Sequence, residues 1–155
     1  RFALVTIGRQ IDPARVTLLI QDLTDRYSDF EFAVASLTTN GNGMEGTFDA
    51  PYAVLTDRLT PIASTWREDS LGLSWREGAI RILVNLTDEY GQSYRRPRIE
   101  HSDVCEAATR GEHLVWFTNP SHRGDYTALC GTWFSLYDLE NFSSNISSVF
   151  VDPCP

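Results

Sequence analysis

Apolar positions fall in runs and stripes that alternate along the chain. Phe2 to Ile7 (FALVTI) is a short apolar run, the pattern of a buried strand. Asp12-Pro13 then reads as a helix start, with Asp as N-cap and Pro at the first helical position. Val16, Leu19, Ile20 and Leu23 follow at i, i+3, i+4, i+7, and Ile11 is placed to staple against Val16 across the cap. Phe30 to Leu37 (FEFAVASL) is apolar on both faces except at Glu31 and predicts a second strand. A Gly-rich loop over Asn40–Gly46 leads to Asp49 as N-cap, Pro51 in the first turn, and Tyr52, Leu55, Leu59 and Ile62 on one helical face, with Pro61 kinking or ending that helix.

Ala79 to Leu86 (AIRILVNL) is the clearest strand. A short helix is predicted between Ser102, as cap, and Gly111. His113–Thr118 and Thr132–Leu136 are two further strands. Leu139, Phe142, Ile146, Val149 and Phe150 mark a closing amphipathic helix after Asp138. Strands apolar on both faces, alternating with helices, predict an α/β fold: a three-layer sandwich with a mostly parallel central sheet and helices on both faces. Binding sites in such sheets lie beyond the carboxyl ends of the strands. The loops to watch are therefore Gly8–Asp12, Thr38–Asp49, Thr87–Arg98 and Asn119–Tyr126.

Length changes this picture little: 155 residues fit one domain, and no apolar run approaches a membrane span of about 20 residues. The chain opens at Arg1 and ends Pro-Cys-Pro, which reads as a domain excised from a longer protein. Charge excludes more. The net charge is −8, and all 13 basic residues are arginine. An acidic chain lacks the basic surface that nonspecific nucleic-acid binding needs, and a chain without lysine cannot perform Schiff-base chemistry or supply a P-loop clamp.

Candidate chemistry is sparse. Gly41-Asn42-Gly43-Met44-Glu45-Gly46 fits the spacing of a dinucleotide fingerprint, but Glu45 and Asp49 would set carboxylates where the pyrophosphate must lie. Asp88 follows the clearest strand, so it stands at the sheet's carboxyl edge, either as a ligand for a hard cation or as a turn cap. His101, His113 and His122 fall in separate elements and make no zinc-protease pattern, and no G-x-S-x-G elbow occurs. Trp75 reads as an anchor for the preceding connection. Cys105, Cys130 and Cys154 form no C-x-x-C pair; in an oxidising compartment they allow one disulfide and one remaining thiol. N-x-S/T sequons stand at Asn85, Asn141 and Asn145, the first of them inside a strand pattern.

Three segments together, Gly46-Thr47-Phe48-Asp49-Ala50, Trp75-Arg76 and the run Ile82–Glu89 (ILVNLTDE), resemble a von Willebrand factor A-like domain, the I-domain fold of integrins and many surface adhesins. The element order is similar from Phe2 to Phe150. The resemblance implies a metal-ion-dependent adhesion site in which Thr47 takes the second-loop role, Asp88 the third-loop role, and Glu45 the extra carboxylate of integrin β-type members. The first-strand D-x-S-x-S motif is replaced by Thr6-Ile7-Gly8-Arg9-Gln10, and Arg9 brings positive charge to that edge. The implied site is therefore degenerate: no cofactor is expected, and Mg2+ or Ca2+ binds weakly if it binds. The implied fold also returns the last helix to the edge where Thr132–Leu136 begins, which pairs Cys130 with Cys154 and leaves Cys105 over.

The function this implies is a non-enzymatic, extracellular or cell-surface module for adhesion or assembly. Its partner, a protein or other domains of the same chain, would meet Arg9, Tyr90, Arg95 and Arg96. The alternative is a structural domain packed within a larger surface protein or filament, with no ligand of its own.

Overall fold

The computed structural model describes residues 1–7, 17–37, 45–58, 70–93, 97–127 and 130–151. The described chain is mixed α/β. Strands β1 (Phe2–Ile7) and β2 (Thr17–Thr24) are followed by helices α1 (Tyr27–Ala35) and α2 (Asp49–Thr56). Then come β3 (Ile82–Thr87), α3 (His101–Ala107), β4 (His113–Thr118), α4 (Arg123–Thr127), β5 (Thr132–Ser135) and α5 (Phe142–Val151).

Strands β3, β4 and β5 form a parallel sheet in that order, in a register that sets Leu83 beside Leu114 and Phe117 beside Phe134. This much of the expected architecture is present. The sheet is smaller than expected, because β1 and β2 pair antiparallel with each other and, among the described residues, not with β3–β5.

Two elements differ from their expected type. Residues 17–24 are a strand rather than the second half of a helix over 12–23. Leu18-Leu19-Ile20 satisfies a helical stripe and a buried strand equally well, and pairing with the apolar β1 selects the strand. Residues 12–16 lie outside the described set. Phe30–Leu37 is largely helix α1 rather than a strand. Phe30, Ala33, Val34 and Leu37 also stand at i, i+3, i+4, i+7, and Ala33 is the helix's buried position. Asp22 ties the hairpin to the connection before β3. Its carboxylate accepts from the Ser74 N–H (3.0 Å), which holds its pKa below the ordinary carboxylate value.

The core is built on β4. Alternation along the strand sends Leu114 and Trp116 to one face and Val115 and Phe117 to the other. On the first face Trp116 packs with Phe48, Leu83, Ile99, Val104 and Tyr126, with Trp75 against the rim of that cluster as its anchoring role requires. Arg81 lies over the Trp75 ring at 5.0 Å and pairs with Glu112 at 3.3 Å. On the second face Phe117 stacks on Phe134 (5.2 Å) and meets Phe142 of α5 (4.9 Å). The same face of β3 is left open: Val84 and Leu86 are exposed, as is Ile80 just before the strand.

Helix caps depart from expectation in detail. Asp49 is the first residue of α2 rather than its cap, and its carboxylate is spent elsewhere. Glu100, not Ser102, begins α3, in a reciprocal capping box with Asp103. Helix α2 ends at Thr56, so Leu59, Pro61 and Ile62 fall outside the described residues. Asp138 lies in a 3-10 turn ahead of α5 and accepts from the Asn141 side chain at 2.6 Å. Asn85 donates its amide to the carbonyls of Leu83 and Val115, so the amide of that sequon is engaged within the sheet.

The expected Cys130–Cys154 disulfide is not made. Cys130 is bonded to Cys105, and Cys154 lies outside the described residues. Helix α3 runs into the amino end of β4 and Cys130 precedes the amino end of β5, so the two cysteines meet at one edge of the sheet. Gly131, next in sequence, sits at φ +88°, and a Cβ there would fall 2.7 Å from Trp116 Nε1 and 2.9 Å from the Leu114 carbonyl. Gly131→Ala is expected to cost about 2 kcal/mol or more, from the left-handed backbone and the clash together. A guanidinium midpoint unchanged from wild type would count against that geometry.

Candidate functional site at the carboxyl edge of the sheet

Because β3, β4 and β5 are parallel, their carboxyl ends, Thr87, Thr118 and Ser135, open on one rim. Four segments meet there: 45–49, 87–93, 119–127 and 135–141.

A buried threonine fastens the first two. Thr47 Oγ1 donates to the Tyr90 carbonyl (3.1 Å) and accepts from the Gln92 N–H (3.0 Å), while Phe48 N–H donates to the Gln92 carbonyl (3.1 Å). Beneath it Ser93 Oγ donates to Asp49 Oδ1 (2.5 Å) and accepts from the Ile99 N–H (3.0 Å), so the buried Asp49 braces the loop after β3. Gly46 is required by crowding, since a Cβ there would sit 2.5 Å from Asp49 Oδ2. Helix α4 holds the same loop from the other side. Gly91 N–H donates to Asp125 Oδ2 (2.9 Å), and Tyr126 OH donates to the Glu89 carbonyl (2.9 Å). Burial pushes the Tyr126 phenol well above its ordinary range, so it stays protonated and remains a donor.

What this frame presents to solvent is aromatic and mostly acidic: Glu45, Asp88, Glu89, Asp125, Asp138 and Glu140 reach its surface, and Arg123 is the one arginine of the four segments. Tyr90 is 42% exposed, with the His122 ring 6.1 Å away. Arg123 lies over the Trp133 ring at 4.8 Å, and Trp133 Nε1 donates to Thr118 Oγ1 at 2.8 Å. Tyr137 is 74% exposed, and its hydroxyl accepts from Asn119 Nδ2 at 3.0 Å.

Of the residues expected from sequence, Thr47, Asp88 and Tyr90 come together on this rim, with Glu45 at the foot of the Thr47 segment. Arg9, Arg95 and Arg96 lie outside the described residues. The donor set suits Mg2+ poorly. That ion needs six oxygens in near-octahedral array, and the Thr47 hydroxyl is already committed to two backbone partners. Glu45 and Asp88 belong to no group of three side chains close enough to share an ion; among the described residues the one such group is His101, Cys105 and Cys130.

That second group is what sequence reading missed. His101 and Cys105 are one helical turn apart on α3, a spacing visible in the sequence, but Cys130 reaches them only through the crossover. His101 is 7% exposed, stacked on Phe48 (5.8 Å) and edge-on to Trp116 (5.7 Å). Burial lowers its pKa below the ordinary 6.5, partly offset by a hydrogen bond to the Cys130 backbone. The unfolded chain thus takes up this proton at a higher pH than the folded one. Stability is expected to fall as pH drops from about 6.5 toward the lowered folded value and to be insensitive to this group above it. His101→Phe is expected to flatten that part of the curve, and the same pH dependence of urea-measured stability in both proteins from pH 7 to 5 would refute the assignment.

No known protein family, curated protein or solved structure matches this chain.

Proposed function

We propose that this chain is a non-enzymatic protein-binding module of the von Willebrand A type, whose partner docks on the carboxyl rim of the parallel sheet. The observation that carries the reading is the braced rim itself, where Tyr90, His122 and Arg123 stand on a backbone locked by Thr47, Asp49 and Tyr126, with the exposed Tyr137 bonded to Asn119 beside them. Tyr, Trp and Arg are the side chains that carry most binding energy at protein interfaces, and pre-ordering them lowers the entropic cost of docking. An extracellular or cell-surface setting agrees with the disulfide, and no described helix is long and apolar enough to cross a membrane.

A photo-crosslinking residue at Tyr90 or Tyr137, in the full-length protein on its native surface, is expected to capture a discrete protein partner. Combining Tyr90→Ala with Tyr137→Ala should weaken that complex at least about tenfold at unchanged melting temperature. Equal binding by the double variant would sink the rim as the contact surface. Thermal unfolding in EDTA against millimolar Mg2+, Mn2+ and Ca2+ tests the cation separately. Saturation at 100 times the dissociation constant stabilises by about 2.7 kcal/mol, several degrees, and that shift must vanish in Asp88→Ala if the rim holds the ion.

One observation favours the alternative of a structural domain packed inside a larger surface protein: the exposed Val84 and Leu86 on one face of β3, with Ile80 exposed just before the strand. Crosslinks from Val84 to other domains of the same chain, with none from Tyr90, would establish it instead.

A further inference from the structure

We propose that His101, Cys105 and Cys130 form a zinc site when their disulfide is reduced, so that one cluster closes either as a covalent bond or around a metal ion. The three ligand atoms already lie within 4.8 Å of one another, and His101 Nε2 is 4.0 Å from Cys130 Sγ. A tetrahedral zinc with Zn–S near 2.3 Å and Zn–N near 2.0 Å needs donors about 3.5–3.8 Å apart. The histidine is therefore near its ligand distance, and once the bond is broken the sulfurs need only small side-chain movements to reach theirs.

The positions come from three constraints. His101 and Cys105 are i and i+4 on α3 and share one face. Cys130 is set opposite them by the turn at Gly131 and the start of β5. The imidazole is buried between Phe48 and Trp116, which restricts its ring and favours the neutral form that ligates metal. Charge also balances: two thiolates and Zn2+ make a neutral centre, which a half-buried apolar setting tolerates where a lone ion would be expelled. Water takes the fourth position.

The chemistry needs a thiol reductant. Two equivalents of a thiol give two electrons and two protons to Cys105–Cys130, which becomes two thiols, and the reductant leaves as its own, oxidised, disulfide. Zinc then displaces the two thiol protons to solvent and accepts a lone pair from each sulfur and from the imidazole. Disulfide sulfur is no zinc ligand, so the two forms exclude each other, one suited to an oxidising compartment and one to a reducing one.

The test uses the Cys154→Ser chain, in which Cys105 and Cys130 alone can supply sulfur, reduced anaerobically with a phosphine and titrated with Co2+. Expected are one equivalent of tetrahedral cobalt with charge-transfer intensity for two thiolates, displacement by Zn2+, and no band in the oxidised protein. His101→Phe keeps the ring packing but removes the ligand, and should weaken cobalt binding at least about tenfold. The near-ultraviolet signal of the packed tryptophans reports folding. If reduction loosens the chain, metal is expected to restore that signal in the His101 protein and not in His101→Phe. The proposal is overturned by a reduced chain that gives no tetrahedral band, by equal affinity in His101→Phe, or by metal that binds without restoring a signal lost on reduction.

Discussion

Reducing the Cys105–Cys130 disulfide, with EDTA present, is expected to lower the midpoint of thermal unfolding by roughly 10 °C. The bond closes a loop of sequence separation 25, and releasing a loop of that size returns about 3.5 kcal/mol of conformational freedom to the unfolded chain. For a chain of this length each kcal/mol moves the midpoint by about 2–4 °C. The folded state adds to the effect, because the bond pins α3 to the turn that starts β5, next to Gly131 and the Trp116 indole. Scanning calorimetry of the oxidised and phosphine-reduced protein decides the matter, with Cys105→Ala plus Cys130→Ala as the metal-independent control. A shift below about 2 °C would mean that the reduced chain is held together by something other than this bond.

Trp116→Ala is expected to cost about 3–5 kcal/mol, the range for removing a fully buried large aromatic. Its ring is completely inaccessible and lies 5.1 Å from Tyr126, 5.7 Å from His101 and 6.4 Å from Phe48. Each of those neighbours has a second task. Tyr126 holds the Glu89 carbonyl, Phe48 follows the Thr47 latch, and His101 lies against the disulfide. The substitution should therefore loosen the carboxyl rim as well as the core, and weaken partner binding in step. Trp116→Phe separates packing from polarity. Among the described residues the indole N–H has no hydrogen-bond partner, so its loss forfeits contact area alone and should cost about 1.5 kcal/mol or less. Guanidinium midpoints at constant slope measure both. An alanine cost below about 1 kcal/mol would show that α3 and α4 collapse into the space.

How much of this was legible in the sequence follows from where the information lies. Strands β3, β4 and β5 were readable because a buried parallel strand is apolar on both faces, and His113–Thr118 has that pattern. Helix α5 was readable because its apolar positions keep one period. Strand β2 and helix α1 were not, since Leu18-Leu19-Ile20 and Phe30-Glu31-Phe32-Ala33-Val34 each satisfy two periods, and the neighbour that breaks the tie is distant in sequence. Of the rim, Asp88 and Thr47 could be named from their segments. The Asn119–Tyr126 segment was also placed there by its position after β4, but that Asp125 and Tyr126 would hold the loop after β3, and Arg123 cover Trp133, was not legible, because those contacts form only through the β4–β5 crossover. The cysteine pairing failed for a related reason. Cys130 stands at the amino edge of the sheet in the implied fold as in the structure, but α3 also returns there to feed β4, and it carries Cys105.

The covalent ring between Cys105 and Cys130 contains all of β4 and α4. In an oxidised but unfolded chain the central strand is thus already confined between the two elements it must dock beside, at a high effective concentration of each. Parallel strands are slow to find one another because a long crossover must close before any pairing forms. In the oxidised chain that closure is in place for β4 before folding begins, and the search that remains is for β3 and the hairpin.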